Sequence, residues 1–176
     1  IPGSHFETWS LAVDHQFGRK TYLGIEGDLF NSTAERTLGV FNQPGVAPVI
    51  ADASATEALD YQEKSVTFTL DQLIGNEFSV GTRYRVTYAD ITHDIPAIPK
   101  RALNSKEDAL LHQLNLYAIF NHPCGGFAQV NSVWSRQEWS FNSARQSLQD
   151  MGDDLWQFNA FVGYRFPRRQ AEVRVG

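Results

Sequence analysis

Large apolar residues alternate with polar residues over most of this chain. In the stretch WQFNAFVGYRF, from Trp156 to Phe166, an apolar or aromatic residue occupies every second position, and Gln157, Asn159 and Arg165 are among the residues between. A period of two places the two kinds of side chain on opposite faces of a β-strand. The stretch is therefore predicted to be a strand with one apolar face and one polar face.

The same alternation occurs in six earlier segments and begins again after the stretch described above. The earlier segments read FETWSLAVDHQFG, KTYLGIEGDLF, KSVTFTLDQLIG, EFSVGTRYRVTYA, LLHQLNLYAIF and FAQVNSVWS, and the last, short one reads QAEVRVG. Most of them are long compared with the five or six residues of an ordinary strand. The sequence predicts an all-β fold, an antiparallel up-and-down meander of about eight long strands.

Short and long connections alternate between the predicted strands. Gly, Pro and Asn predict tight turns at FGRK, IGNE, HPCGG and FPRRQ. Long polar linkers are predicted from Asn31 to Asp60, from Thr92 to Ala109 and from Arg136 to Leu155, so all long connections emerge at one end of the sheet. Short turns on one side, long loops on the other and strands of about ten residues are typical of an outer-membrane β-barrel, with the short turns in the periplasm.

In the barrel interpretation one face of the sheet contacts lipid and the other faces a lumen. The residues predicted to face lipid are Trp9, Phe68, Leu70, Val80, Tyr84, Val86, Leu116, Trp156, Phe158, Val162 and Tyr164. The charged residues predicted to line a lumen are Glu26, Asp28, Asp71, Arg83, Arg85, Arg165, Glu172 and Arg174. Two interpretations of these charges stay open, because they can set the field that a solute or plug experiences or pair with one another across neighbouring strands.

Composition excludes several other classes of protein. The 176 residues carry a formal net charge of −5 and no basic stripe, which argues against a nucleic-acid partner. A single cysteine, Cys124, excludes a disulfide framework within the chain and zinc sites built from several cysteines. No apolar run approaches the roughly 20 residues of a membrane helix. Membrane β-strands alternate apolar and polar residues and need no long apolar run, so an outer-membrane location stays compatible with the composition.

Two stretches of the chain resemble a known family. DLWQFNAFVGYRFPRRQAEVRVG and LDYQEKSVTFTLDQLIGNEFSVGTRYRV resemble the late barrel strands of bacterial TonB-dependent-receptor-like outer-membrane proteins, including barrels found downstream of tetratricopeptide repeats. The resemblance implies a porin-like barrel wall in the outer membrane of a Gram-negative cell, in contact with its lipid. It also implies a plug or helical-repeat domain elsewhere in the full chain, since residues 1–176 contain no plug, TonB box or helical repeat.

Signatures of catalysis are missing from the sequence. It contains no GxSxG, HExxH, P-loop or GxGxxG motif, so we expect neither an enzyme nor a cofactor. Three small groups of possible metal ligands are expected to be incidental turn and loop residues. These groups are His122 with Cys124, Asp90 with His93 and Asp94, and Asp150 with Asp153 and Asp154.

Three function classes follow from the pattern. The main hypothesis is a wall segment of a transport barrel, a receptor or exporter pore, whose long extracellular loops carry recognition and contain His93, Trp139 and Phe141. The alternatives are a closed eight-stranded anchor or adhesin and a soluble ligand-binding β-barrel or sandwich. After FPRRQ only about seven residues remain, too few to cross an apolar band of about 25 Å. We therefore expect residues 1–176 to be one segment of a larger barrel.

Overall fold

Eight antiparallel strands follow one another along the chain and pair in sequence order. This computed structural model describes residues 4–42, 51–95, 105–143, 146–166 and 171–176. The strands are β1 (His5–Phe17), β2 (Thr21–Asn42), β3 (Ala51–Ile74), β4 (Phe78–Asp94), β5 (Ser105–Asn121), β6 (Gly126–Ser143), β7 (Gln146–Arg165) and β8 (Glu172–Val175). The predicted all-β, up-and-down meander of eight strands is confirmed.

The strands are longer than the alternation predicts, and the prediction of three long linkers is largely wrong. β2 and β3 contain 22 and 24 residues and stay paired from Thr21 opposite Gln72 to Asn42 opposite Ala51. Every residue of the predicted linkers that the structure describes belongs to a strand except Ile95, and residues 43–50, 96–104 and 144–145 lie outside the described part. Backbone hydrogen bonds continue wherever two strands stay in register, whether or not one face is apolar. His93, Trp139 and Phe141 therefore belong to strands.

Three of the four predicted tight turns are confirmed. Gly18 and Gly75 have φ angles of 63° and 66°, the left-handed conformation that a glycine adopts without steric cost. The third turn closes with a hydrogen bond from the His122 amide to the Gly126 carbonyl at 2.8 Å. At the fourth, Arg165 pairs with Glu172, so β7 and β8 form the expected hairpin, while residues 167–170 lie outside the described part.

The sheet is not closed into a cylinder. Among the described residues β1 pairs with β2 alone, and β8, which is only four residues long, pairs with β7 alone. The same residues form one layer, with no second sheet packed on either face. No described segment forms a helix that is both long and apolar enough to cross a membrane.

In the strand β3 the polar face is the more crowded one. In β3, Ser65 and Thr67 are 4% and 2% exposed, whereas Val66 and Phe68, which alternate with them, are 43% and 48% exposed. Because no second described layer covers the polar side, the difference indicates that the sheet curves toward it and brings its side chains together. We call the polar side the concave face and the apolar side the convex face.

Candidate functional site

The register assigns the sequence-predicted residues to the two faces. All eleven residues predicted to face lipid lie on the convex face; for example, Val86 lies opposite Val66, and Tyr84 opposite Phe68. The eight charged residues predicted to line a lumen lie on the concave face. The partition follows the predicted one residue by residue, while the media that the two faces meet stay predictions.

An apolar band runs along the convex face between two rows of aromatic residues. The row at the tight-turn end consists of Phe17, Phe78, Phe120, Tyr164 and Phe166, and the row at the opposite end consists of Trp9, Tyr88, Trp134 and Trp156. Phe78 contacts Phe120 at 4.6 Å and Trp134 approaches Trp156 at 6.3 Å between ring centroids, so neighbouring strands contribute to one row. We call these rows the lower and upper girdles.

The height of the band can be estimated along β4. Phe78 in the lower girdle and Tyr88 in the upper girdle are ten residues apart (88 − 78). At about 3.3 Å per residue and a tilt of about 40°, ten residues rise about 25 Å, the height of the apolar band of an outer-membrane barrel. The band is also slanted, because Tyr88 pairs with Leu110 whereas Trp134 pairs with Leu114, four residues further along β5 (114 − 110).

Ionic side chains occupy the concave face of β2, β3 and β4. The Ser65 hydroxyl donates to Asp28 at 3.1 Å and accepts a hydrogen bond from Arg85 at 3.0 Å, and Arg85 also lies 3.5 Å from Glu63. Arg83 approaches Glu26 at 3.8 Å on the same face. At the β7–β8 hairpin, Arg165 donates to Glu172 at 3.0 Å. Two pairs, Arg83 with Glu26 and Arg165 with Glu172, thus join predicted lumen charges of different strands, and the effect of these charges on a solute stays a prediction.

Asp71 and Tyr117 meet across an intervening strand. The Tyr117 hydroxyl of β5 donates a hydrogen bond to the Asp71 carboxylate of β3, and Gly81 of β4 lies beneath both side chains. A Cβ atom at Gly81 would collide with both of them. Gly81 therefore leaves the space in which these two side chains meet over its backbone, as in the covering of sheet glycines by aromatic rings elsewhere.

Beyond the upper girdle the concave face carries a second ionic group. Glu57 of β3, 4% exposed, pairs with Arg36 of β2 and lies 3.0 Å from the Nδ1 atom of His93 of β4. Arg36 first and His93 second hold the pKa of the Glu57 carboxyl below its ordinary value, although burial opposes them. His93 thus belongs to this group and is separated from Asp90 and Asp94, whose positions in β4 place them on the convex face.

The concave face of β5, β6 and β7 is rich in amides. Beside the charged residues Glu107, Asp153 and Arg165 it presents seven amide side chains, Gln113, Asn115, Gln129, Asn131, Gln137, Gln157 and Asn159. Nearer the tight-turn end, Phe127 packs over Gly163, and the Arg165 guanidinium lies 4.3 Å from the centre of the Phe127 ring. Amide side chains are therefore concentrated on the concave face of β5, β6 and β7, next to the ionic groups of β2, β3 and β4.

Of the possible metal ligands, His122 and Cys124 lie close together, with 2.9 Å between Nδ1 and Sγ. In the described part of the chain, no group of three or more His, Cys, Asp or Glu side chains is arranged to hold a metal ion. Asp153 pairs with Gln137 and Asp154 with Arg136, on opposite faces of β7, and the Asp150 side chain lies outside the described residues. His122 accepts a hydrogen bond from the Cys124 amide at 3.2 Å, so its ring serves the turn.

A small pocket lies on the concave face beyond the upper girdle. Its volume is about 280 Å³, and its lining includes Tyr61, Ala89, Glu107, Ala109 and Trp139. Sequence reasoning missed it, because these residues come from four strands and only the register brings them together. A signal was present, since a tryptophan and a tyrosine occupy polar-face positions of their strands.

The comparisons with known proteins identify no relative. No family model matches the chain, and no curated protein or solved structure matches it. The resemblance to TonB-dependent-receptor-like barrels accordingly stays a prediction.

Proposed function

We propose that the sheet is an arc of the wall of a transmembrane β-barrel in an outer membrane, and that its concave face lines an aqueous passage for polar solutes. One observation carries the proposal. The large apolar residues lie exposed on the convex face, whereas Ser65 and Thr67 of β3 are buried on the concave face, as the values for Phe68 and Thr67 illustrate. A soluble sheet buries its apolar side, whereas a barrel in lipid exposes it.

The girdles and the band height support a bilayer as the medium of the convex face. Aromatic rings concentrate at both membrane interfaces, and an apolar height of about 25 Å is that of outer-membrane barrels. β2 continues thirteen residues beyond Leu29, to Asn42 (42 − 29), a further rise of about 33 Å at the same tilt. The β2–β3 hairpin would therefore project well outside the bilayer.

The free edges of β1 and β8 favour an arc over a complete small barrel. Each of these strands pairs on one side only within the described residues. In hydrocarbon each unsatisfied backbone N–H or C=O group costs several kcal/mol, so a spanning sheet cannot leave its edges open. Further strands beside β1 and β8 would satisfy them. The alternative of an eight-stranded anchor requires β1 to pair with β8.

The proposed topology follows from the connections. The three short turns at Gly18, Gly75 and Gly125 would face the periplasm, and the extended ends of the hairpins would face the cell exterior. Recognition would then belong to the projecting paired strands rather than to long irregular loops. The soluble alternative requires a covering layer over the convex face.

Site-directed spin labelling in lipid vesicles tests the orientation of the faces. After replacement of the single cysteine, Cys124, by serine, labels at Phe68 and Val162 report the convex face, and matched labels at the less buried Thr69 and at Asn159 report the concave face. We expect oxygen dissolved in lipid to relax the first pair and a water-soluble nickel chelate to relax the second. The reverse pattern would show that the faces are assigned the wrong way round.

Conductance across a planar bilayer separates transport from anchoring. We expect discrete conductance steps from the full-length protein, with their size changed by Arg83→Glu or Arg85→Glu because these residues line the passage. Insertion without conductance would favour the anchor alternative.

A further inference from the structure

The pocket beyond the upper girdle has a floor of two small residues. On the concave face Ala89 of β4 and Ala109 of β5 are direct partners. In the same row Glu63 lies opposite Ala89, and Trp139 lies opposite Ala109. Larger side chains therefore bound a gap above the two alanines.

Two aromatic side chains line opposite sides of this gap. Tyr61 belongs to β3 and Trp139 to β6, three strand spacings away and two residues apart along the strands, which corresponds to about 16 Å between their backbones. Tyr61 is fixed in place because its hydroxyl donates a hydrogen bond to Glu63 at 2.8 Å. Burial first and Glu63 second raise the pKa of Tyr61 to about 12, so the phenol stays neutral and keeps this hydrogen bond over the physiological pH range.

The charge of the pocket is negative. Glu107, in the row beyond the alanines, lines the pocket and forms no ion pair with another described residue. The Glu63 carboxylate forms an ion pair with the Arg85 guanidinium, with 3.5 Å between the two groups. Lys106 alternates with Glu107 along β5 and is assigned to the convex face by the register. Asp90 and Asp108 also line the pocket but alternate onto the convex face, so Glu107 is the carboxylate that the concave side of the gap presents to a ligand.

We propose that this pocket binds a small alkylated ammonium ion, held between Tyr61 and Trp139 with Glu107 as its counter-ion. Aromatic faces attract a cation through the ring quadrupole, and methyl groups on the nitrogen fit the apolar floor of Ala89 and Ala109. Alkylation also weakens hydration of the cation, which lowers the cost of desolvating it in a partly open pocket. The proposal depends on the curvature and register of the sheet and does not depend on insertion into a membrane.

Choline and its uncharged isostere 3,3-dimethyl-1-butanol provide a direct test. Both are titrated against the full-length protein by ligand-observed NMR in a polyoxyethylene detergent, because amine-oxide and maltoside headgroups would compete. We expect saturable binding of choline and at least fivefold weaker binding of the neutral alcohol. Equal binding of choline and the neutral alcohol, or absence of choline binding, would overturn the proposal.

Matched variants locate the site. Glu107→Gln is expected to weaken choline binding at least fivefold, and Ala109→Leu to abolish it by filling the floor. Glu138→Gln removes the same charge from the convex face of β6 and is expected to leave binding unchanged. Circular dichroism confirms that each variant retains its sheet. Unchanged binding in both folded pocket variants, or equal loss in Glu138→Gln, would refute the assignment.

Discussion

The two halves of the β2–β3 hairpin share one continuous ladder and differ in the face they present. Between the girdles the convex side carries large apolar residues such as Ile25 and Phe68, whereas beyond the upper girdle the same side carries Glu35, Ala58 and Asp60. Strand pairing passes from one half to the other without interruption. The comparison teaches that backbone hydrogen bonds extend the sheet, while the side chains of the convex face determine which part of it is suited to lipid.

The largest expected effect comes from a charge placed on the convex face in each half. Phe68→Arg, near mid-height of the band, is expected to destabilise the protein in lipid vesicles by about 2–4 kcal/mol, because the guanidinium must enter hydrocarbon. Ala58→Arg, on the same face of the same strand beyond the girdle, is expected to change stability by no more than about 0.5 kcal/mol. Reversible urea unfolding measures both, and similar costs would remove the proposed difference in medium.

Glycine substitutions compare side-chain packing between the girdles with side-chain packing in the part of the sheet beyond the upper girdle. Gly81→Ala forces a methyl group against Asp71 and Tyr117, so we expect a loss of about 1–3 kcal/mol, as for overpacking elsewhere. Gly39→Ala, in the projecting part of β2, meets nothing within 4 Å and is expected to be neutral or slightly stabilising. Unfolding curves of the two variants decide the point. A harmless Gly81→Ala would mean that the Asp71–Tyr117 contact contributes little.

The smallest expected effect is a pH dependence confined to the projecting half. Because Arg36 and His93 lower the pKa of Glu57, the unfolded chain binds the proton more readily than the folded one. The stabilisation is therefore complete above the ordinary glutamate pKa and is lost as pH falls through the lower folded value. Amide exchange around Arg36, corrected for intrinsic rates, should accelerate between about pH 5 and pH 3 relative to the band. Glu57→Gln should abolish this difference, and its persistence would point to another group.

The sequence alone predicted the part of the fold in which the two faces differ. Trp9, Phe68 and Val162 alternate with polar residues, and their strands and faces follow from the period of two. Beyond the upper girdle the convex face is polar and the concave face mixes apolar residues such as Leu59 and Ile91 with Glu57 and His93, so the alternation found between the girdles does not continue although pairing does. That is why Asn31–Asp60 was predicted to be a linker.

The candidate sites were less predictable because they depend on register. The pairing of Arg85 with Glu63 and the passage of Tyr117 over Gly81 join strands whose relative offset no local pattern specifies. The pocket shows the same limit, since Tyr61 and Trp139 are 78 positions apart in the sequence (139 − 61). Their role depends on two alanines in the strands between them.

The sequence-order pairing of the strands has a consequence for how the sheet forms. Every substantial contact between described strands joins strands that are consecutive in the chain, so no strand must wait for a distant one. Loop closure costs little when the joined segments are neighbours, which favours growth hairpin by hairpin from any completed pair. Strands are then added one at a time, and the most recently added strand provides the backbone hydrogen-bonding edge for the next one. A defect in a central strand such as β4 would halt that growth and divide the sheet into two independently formed parts.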